Sequence, residues 1–525
     1  LYGSQAMGGV INIITRQPEK QCRTEIESGY GTFDTWSATV RNSATLGKFS
    51  YALSGTRLES DGFKEVPKDD RTAKNSASSS IERDNLSGKL RYEFDPSCSL
   101  ELSGSHHRNQ RHGQYNLIQG FRLYENDIDR LDLHFRKQWG GVELQATLFG
   151  SDLESGYDHA KAGTYDKVDY ASETHGQDWG GAMQVGFALD RRHFLTLGGD
   201  FRQADLEKQY NYYTTNRLRK NGGEQDSYSL FVQDEIFLFD EKLIFNLGAR
   251  YDLWKNSAGY GLDTVTSAAM VDYDDRTDQA FNPKFAARYR LTDRLSLRGG
   301  VATAFRTPSL PNLYQGDYSY GVTLYKGNPD LEAEKSVSYE LGFDLRPLDS
   351  LSLKGTVYQT DIDDSINLIT TDSANHIKQY MNIGKVEIQG LEVEADYCFS
   401  SVLSFYGTYT LNRSKINDYK ENPELEGKDL PWLPKWQAAL GLIFNDPKLF
   451  ALRLNGRYIG KIYDDDLNTK EAGDYFTADL KLSRQFTEYL EGSLTATNLF
   501  DRDYQDSQSD QNPGRIIMAR FKVSF

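Results

Sequence analysis

The sequence has no long apolar segment. Its mean hydropathy is −0.63, and no uninterrupted apolar run approaches the ~18 residues that a membrane-spanning helix needs. This absence excludes a bundle of transmembrane helices. It does not exclude a transmembrane β-barrel, whose strands give only short alternating segments and a weak hydropathy signal.

Cysteine is also scarce, and basic residues are outnumbered by acidic ones, 60 Lys and Arg against 76 Asp and Glu. Cys22, Cys98 and Cys398 are far apart and form neither a CxxC pair nor a zinc-ligand spacing, so we expect free or partly paired thiols. The formal net charge is −16 over 525 residues. Such a chain lacks the basic footprint of a nucleic-acid-binding protein, and no nucleic-acid partner is expected.

The sequence is instead rich in glycine, aromatic residues and strict alternation. It contains 45 Gly, 33 Tyr and 27 Phe. Side chains alternate across a strand, so alternation gives one apolar and one polar face. At the C-terminus the apolar positions are Ile517, Ala519, Phe521, Val523 and Phe525, and the polar ones between them include Arg520, Lys522 and Ser524. The same pattern recurs near residues 243, 351, 403, 450 and 476.

The connections between these segments alternate in length. Short ones carry turn residues, as in Asp95-Pro96-Ser97, and long polar ones cover residues 60–80, 153–175, 204–226, 254–279 and 306–335. Counting from about Thr24, we predict an all-β fold with about 22 antiparallel strands of roughly ten residues in a transmembrane β-barrel. A lumen of that width needs a plug. A large soluble β-sandwich is the alternative, and no blade repeat of a β-propeller is present.

Residues 1–16, LYGSQAMGGVINIITR, differ from the rest because a Gly-Gly pair leads into an apolar segment that does not alternate. A strand of this kind is buried on both faces. In front of a barrel it resembles the end of the plug domain of TonB-dependent outer-membrane receptors, which closes with YGS-x-A-x-GGVINIIT. The residues that carry this resemblance are Tyr2, Gly3, Gly8, Gly9 and Asn12.

Three further stretches resemble the same family. FRTPSL at residues 305–310, with Leu313-Tyr314 and then GNPDL at 327–331 and Glu334, resembles its FRAPS…LY…GNP-x-L…E stretch. Asn382-Ile383-Gly384 with Glu387 to Glu392 resembles its N-x-G…GxE strand. Asn498-Leu499-Phe500-Asp501, followed by Tyr504, Gly514-Arg515 and a terminal Phe525, resembles its C-terminal signature.

The resemblance implies the end of a plug at residues 1–20, a barrel at 21–525 and a location in the outer membrane of a Gram-negative bacterium. It also implies high-affinity uptake of a scarce chelate, without enzymatic activity or a cofactor. The implied partners are TonB, outer-membrane lipid and lipopolysaccharide, and the expected state is a monomer. The TonB box and most of the plug are expected upstream of Leu1.

The residues favour a ferric siderophore as ligand. Rings and cations together suit an anionic aromatic chelate such as a catecholate, and the candidates are Tyr210, Tyr212, Tyr213, Arg217, Arg219, Arg306 and Tyr314. The tyrosines could instead lie at the membrane interface. Inward-facing arginines could form a basic path or, as we expect, pair with acidic plug residues; they are Arg250, Arg298, Arg306, Arg453 and Arg457.

Cobalamin and haem are the rival ligands. Some cobalamin receptors of this family use Ca²⁺-bound loops, and carboxylate clusters of that kind occur at Asp272, Asp274, Asp275, Asp464, Asp465 and Asp466. Such runs are usually solvated. Haem is disfavoured because no His occurs from Phe305 to Glu334, although His106, His107 and His112 lie close in sequence. A passive porin would lack the plug motif, and a barrel enzyme would need a nucleophile motif that the sequence does not show.

Overall fold

A computed structural model describes residues 7–10, 12–13, 15, 17–72, 76–115, 119–161, 167–265, 267–315, 318–320, 323–420, 422–505 and 511–525. Most of this part of the chain is β-strand. In chain order the strands are β1 (Arg23–Gly31), β2 (Thr35–Leu46), β3 (Phe49–Phe63), β4 (Ser79–Asp95), β5 (Cys98–Tyr115), β6 (Gln119–Trp139), β7 (Val142–Lys161), β8 (Tyr170–Ala188), β9 (His193–Tyr212), β10 (Arg217–Leu238), β11 (Leu243–Asp263), β12 (Ser267–Asp272), β13 (Arg276–Thr292), β14 (Leu295–Arg306), β15 (Tyr318–Tyr320), β16 (Thr323–Lys326), β17 (Glu334–Leu348), β18 (Leu351–Asp372), β19 (Ile377–Cys398), β20 (Leu403–Asp418), β21 (Trp436–Asn445), β22 (Ala451–Ile459), β23 (Ile462–Tyr463), β24 (Glu471–Ala472), β25 (Tyr475–Gln485), β26 (Leu490–Thr497) and β27 (Ile516–Ser524).

The strands close into a barrel. Successive long strands pair antiparallel, and β27 pairs back with β1, with Ser524 opposite Glu25 and Met518 opposite Gly31. Without the short strands β12, β15, β16, β23 and β24, the wall has 22 strands, which confirms the predicted antiparallel barrel. Closure pairs the first strand of the sheet with the last, as a barrel in lipid requires.

The helical segments are short. Among the described residues they are α1 (Leu310–Tyr314) and two 3₁₀ turns, Lys68–Asp70 and Pro423–Leu425. In the described part of the chain, no helix is long and apolar enough to cross a membrane.

The two faces of the wall differ as the alternation predicts. On β27, Ile517, Phe521 and Val523 are exposed on the outside, whereas Met518 is buried on the inside. Lys522 also faces inward, where its ammonium lies 2.5 Å from the carboxylate of Glu491. Exposed outward leucines occur on the other strands too, including Leu53, Leu86, Leu131, Leu148 and Leu230. This apolar outer surface is what contact with lipid requires.

The strands are longer than expected. We predicted roughly ten residues, but β10, β18 and β19 have 22 residues each. The predicted long connection at 204–226 is therefore wrong, because β9 and β10 extend through it and meet in a turn at residues 213–216. The connection at 153–175 is likewise mostly strand. Alternating hydrophobicity marks only the lipid-facing part of a strand, and the paired ladder continues beyond it with polar residues on both faces.

The predicted buried strand at the N-terminus is not formed. The described residues among 7–15 adopt no strand, and Val10 and Ile13 are 46% and 81% exposed. A strand buried on both faces needs neighbouring strands, and no described residue pairs with this segment in a β-ladder. Tyr2 and Gly3 lie outside the described residues.

The described part of this segment nevertheless lies inside the barrel. Gly8, Gly9 and Asn12 line one space together with Arg250 on β11 and Glu340 on β17. Thr15 accepts a hydrogen bond of 2.8 Å from the ammonium of Lys89 on β4. The segment therefore crosses the lumen from the β11–β17 side toward the β1–β6 side.

The three cysteines are free thiols, as expected. Cys22 directly precedes β1, Cys98 begins β5 and Cys398 ends β19. All three therefore lie at the barrel end that carries the short turns.

Candidate functional site

Four of the predicted aromatic and cationic residues lie on the inner face of the barrel at the end with the long connections, which we call the rim; they are Tyr210, Tyr212, Arg217 and Arg219. On β9, Asp200 faces the lumen, since its carboxylate contacts Arg250 beside the N-terminal segment. The β9–β10 register runs without a shift from the Tyr212–Arg217 pair to the His193–Ile236 pair. Tyr210 and Tyr212 stand at even spacing from Asp200, so they face inward as well.

Register brings four strands together at this place. Tyr212 is opposite Tyr170 on β8 and Arg217 on β10, and Tyr210 is opposite Arg219. We call the resulting inward surface the rim wall; its residues are Tyr157, Tyr170, Lys208, Tyr210, Tyr212, Arg217 and Arg219.

The rim wall is a group of tyrosine rings in mutual contact. The ring of Tyr170 lies 5.8 Å from that of Tyr210, edge to face, and 4.9 Å from that of Tyr212. Tyr157 contacts the same ring at 6.1 Å, and His159 stacks on it at 4.4 Å. Such contacts add stability beyond area burial and make the wall rigid.

Three cations lie over these rings. The ammonium of Lys208 is 5.1 Å from the centroid of Tyr210, and the guanidinium of Arg219 is 5.5 Å from it. The guanidinium of Arg217 lies 5.4 Å from the centroid of Tyr212. These are cation–π distances, and they fix positive charge on an aromatic surface.

A carboxylate on β11 orients both arginines. Arg217 Nε donates a hydrogen bond of 2.8 Å to Asp263, and Arg219 Nε lies 3.7 Å from the same carboxylate. The hydrogen bond from Arg217 is the main reason why the pKa of Asp263 is lowered to about 2. Burial raises the pKa of Tyr170 and of Tyr210, so both phenols remain neutral hydrogen-bond donors.

The predicted residues divide into exposed and buried groups. Tyr212 and Arg217 are half-buried, whereas Tyr210 and Arg219 are only 1% and 2% exposed and are therefore covered by neighbouring groups. Tyr213 lies in the exposed turn, away from the rim wall. Tyr157, His159 and Tyr170 were not predicted, because only the strand register brings β7 and β8 next to β9. Lys208 was not predicted either, although it lies on β9 two residues before Tyr210.

Tyr314 and Arg306 belong to a different structure. The connection from β14 to β17 folds inward, and we call two parts of it, residues 307–315 and 327–333, the strap. Tyr314, at the end of α1, is 4% exposed and packs with Leu310, Leu313 and Leu331. Arg306 pairs with the buried carboxylate of Glu334. Neither side chain belongs to the rim wall.

The other inward arginines pair with the barrel wall. Arg250 contacts Asp200 at 2.7 Å and Asp252 at 2.8 Å. Arg298 lies 4.0 Å from Asp344. Pairing of these arginines with acidic plug residues stays a prediction. Of the remaining two, Arg457 lies over the ring of Tyr475 at 5.8 Å, and Arg453 faces Lys481 in the β22–β25 register.

The acidic loops do not converge. Asp275 pairs with Lys255 at 2.7 Å, and Asp465 accepts hydrogen bonds from the backbone N–H groups of Thr469 and Lys470 within its own loop. His106 bonds Asp129, whereas its neighbour His107 bonds Asn85 on the opposite face of the strand. Across the described ranges, no three His, Cys, Asp or Glu side chains lie close enough to hold a metal ion.

Comparisons with known proteins agree with this architecture. Vitamin B12 transporter BtuB of Photobacterium profundum is 24% identical over 96% of this chain and 74% of its own length. The ferric yersiniabactin uptake receptor FyuA of Yersinia pestis superposes with a TM-score of 0.81 at 20% identity, covering 100% of this chain and 83% of that one. A mutant of the ferric enterobactin receptor PfeA of Pseudomonas aeruginosa gives 0.77 at 17% identity, covering 100% and 84%.

At these identities, the likeness to the solved structures establishes the fold alone. The family assignment comes from the match of residues 24–499 to the family described as TonB dependent receptor-like, beta-barrel. That match covers the wall from β1 to the end of β26. The protein belongs to the TonB-dependent receptor family.

Proposed function

We propose that this protein is a transporter of the Gram-negative outer membrane that takes up a ferric siderophore with energy delivered through TonB. The observation that carries the proposal is the rim wall, where Lys208, Arg217 and Arg219 lie over tyrosine rings. A ferric catecholate combines negative charge with aromatic rings, so it complements both features. The rim then faces the outside of the cell.

Within the rim wall, Tyr212, Arg217 and Lys208 are the groups that we assign to ligand contact, because they are partly exposed toward the lumen. Tyr210 and Arg219 hold them in place through ring contact and through Asp263. We assign Tyr213 no contact, because it lies outside this surface.

The remaining assignments follow from the family. Residues 1–20 are proposed as the end of a plug, and 21–525 as the barrel. TonB would bind a segment N-terminal to the plug. The apolar outer surface would contact outer-membrane lipid and lipopolysaccharide, and the protein would act as a monomer.

Cobalamin is the second candidate ligand, since the curated relative named above is a vitamin B12 transporter. A Ca²⁺-dependent cobalamin site would require the acidic loops to rearrange. Asp275 would have to leave Lys255, and Asp465 would have to release the backbone groups that it accepts.

A binding titration of the full natural chain separates the candidates. Intrinsic Tyr and Trp fluorescence would be followed while ferric catecholate, ferric hydroxamate and cobalamin are added, with and without Ca²⁺. Submicromolar binding of a ferric chelate that is indifferent to Ca²⁺ would support the proposal. Binding of cobalamin alone, dependent on Ca²⁺, would replace it with the second candidate.

Two variants locate the site. Arg217→Met keeps the apolar stem but removes the charge, and a lost charge-assisted hydrogen bond of about 1.5–3 kcal/mol corresponds to a rise in Kd of about 10- to 100-fold. Tyr228→Ala is the control, because Tyr228 lies on the same strand but is exposed on the outer face. Equal affinities of the two variants would remove Arg217 from the ligand site.

A further inference from the structure

The strap lies directly below the rim wall. Leu206 on β9 packs against the strap leucines, and the next inward positions on the same strand are Lys208 and Tyr210 of the rim wall. Inward-facing positions on a strand are about 7 Å apart, a distance that a molecule the size of an iron chelate spans. A molecule that touches Lys208 from the lumen therefore also meets the strap.

Tyr314 enters a socket that is formed by two glycines. A Cβ at Gly223 on β10 would lie 2.5 Å from the Tyr314 ring, and one at Gly259 on β11 would lie 2.4 Å from it. The β10–β11 register shifts between Gly222 and Glu224, at the same place. Tyr273 completes the socket, because its ring stacks on Tyr314 at 5.6 Å and 18°. The Tyr314 ring therefore occupies the space that a side chain at position 223 or 259 would need.

Polar contacts fix the rest of the strap to the barrel. Gln225 Nε2 donates to the carbonyl of Pro308 at 3.1 Å, and Arg276 donates to the carbonyl of Leu331 at 3.1 Å. At the far end Asn382 both donates to and accepts from the backbone of Glu332, at 3.0 and 2.9 Å. The strap thus extends from β10 to β19 as a fixed shelf.

We infer that Tyr314 is a positioning residue: its ring, held between Gly223 and Gly259, fixes the strap as the floor on which a chelate bound to the rim wall rests. Tyr314 itself does not contact the ligand, since it is almost fully buried. The identity of the ligand site rests on the proposed function. The attachment of the strap through Tyr314 does not.

The expected rise in Kd follows from the fraction of molecules in which the strap is attached to the barrel. If loss of the ring lowers that fraction to about one tenth, the apparent Kd rises about tenfold, because Kd scales inversely with the competent fraction. Contacts to Tyr212 and Arg217 would remain, so binding is weakened and not abolished.

The test uses the full natural chain with Cys22, Cys98 and Cys398 replaced by serine. A fluorescent label at Pro311→Cys reports strap mobility, because Pro311 is exposed on α1 and has no backbone N–H to lose. Mobility is measured by anisotropy without ligand, and Kd by chelate titration. Variants are Tyr314→Ala, Tyr314→Phe, Gly259→Ala and the Gly259→Ala/Tyr314→Ala double variant. Gly150→Ala is the matched control, since a Cβ there meets nothing within 4 Å.

Tyr314→Ala and Gly259→Ala should each increase label mobility and raise Kd about tenfold, as the lost floor predicts. Tyr314→Phe should leave label mobility and Kd as they are in the chain with Tyr314. The Gly259→Ala/Tyr314→Ala double variant should be no worse than either single variant, as expected for two residues that act through one contact. Heat-dependent migration on a denaturing gel checks that each barrel is folded.

Unchanged mobility in Tyr314→Ala would overturn the attachment. Increased mobility with an unchanged Kd would overturn the floor while leaving the proposed transporter intact. If no chelate binds even the protein without Tyr314 or Gly259 substitutions, both the proposed function and the role of the strap as a floor are refuted. The mobility of the label still decides whether Tyr314 holds the strap in place.

Discussion

An arginine at Phe521 is expected to destabilise the barrel, because this side chain faces lipid. Phe521 is 58% exposed on the outer surface and lies between Ser28 of β1 and Gly492 of β26, at the seam where the barrel closes. A charge at this position would have no partner other than hydrocarbon.

The magnitude follows from depth. Phe521 is four residues from Phe525 at the end of the chain. With a rise of about 3.4 Å per residue and a strand tilt of about 40°, this places Phe521 about 10 Å above the end of the strand. The apolar band is about 25 Å tall, so Phe521 lies close to its midplane, where arginine costs about 2–4 kcal/mol. Phe525→Arg, near the interface, should cost about 0–1 kcal/mol.

The measurement is a denaturant titration of folding into lipid vesicles. Lys522→Met serves as the inward-facing control, because it removes an ion pair with Glu491 without placing charge in lipid. If Phe521→Arg and Phe525→Arg proved equally costly, or if Lys522→Met were the worst of the three, the assignment of inner and outer faces would be wrong.

Two further predictions test orientation and the inner wall. A membrane-impermeant maleimide added to intact cells should leave Cys22, Cys98 and Cys398 unlabelled, because these cysteines lie at the short-turn end of the barrel. The same reagent should label Thr214→Cys in the β9–β10 turn at the opposite end. The reverse labelling pattern would show that the barrel has the opposite orientation in the membrane. Arg250→Ala should lower the free energy of unfolding by about 3 kcal/mol in the folding titration described above, because it leaves Asp200 and Asp252 without their shared cation. The control Arg294→Ala removes an exposed pair with Asp349 and should cost about 0–1 kcal/mol. Similar costs for the two variants would refute the pairing argument.

The barrel could be predicted from the sequence because its main determinant is local. On β27, alternation alone assigns Phe521 to the lipid and Lys522 to the lumen, and the structure confirms both. Repetition of that pattern, with the turn residues between segments, gives the strand count. The alternation of apolar and polar residues disappears where both faces of a strand contact water. The extensions of β9 and β10 beyond the membrane therefore have the sequence character of loops.

The rim wall could not be predicted in full because its contacts are not local. Tyr170 meets Tyr212 across 42 residues, and Arg217 meets Asp263 across 46. Each pairing depends on the register of long strands, which a single sequence specifies only where one face is buried. The tyrosines and arginines of residues 210–219 can be recognised because they lie close together in the sequence. Their partners on β7 and β8 do not form a comparable cluster in the sequence.

The family motifs and the proposed ligand-contact residues of the rim wall lie in different segments of the chain, and this explains why the sequence identified the family but not the ligand. Arg306 and Glu334 of the FRTPSL and GNPDL stretch bond each other at the base of the strap, and Asn328 donates to the carbonyl of Tyr380. Asn382 of the N-x-G motif holds the end of the strap at Glu332. These contacts hold the strap to the barrel wall. The rim wall, which would distinguish one chelate from another, contains none of the motif residues. A change of ligand within such a fold would therefore be expected to alter residues such as Lys208, Tyr212 and Arg217 while it leaves Arg306, Glu334, Asn328 and Asn382 untouched.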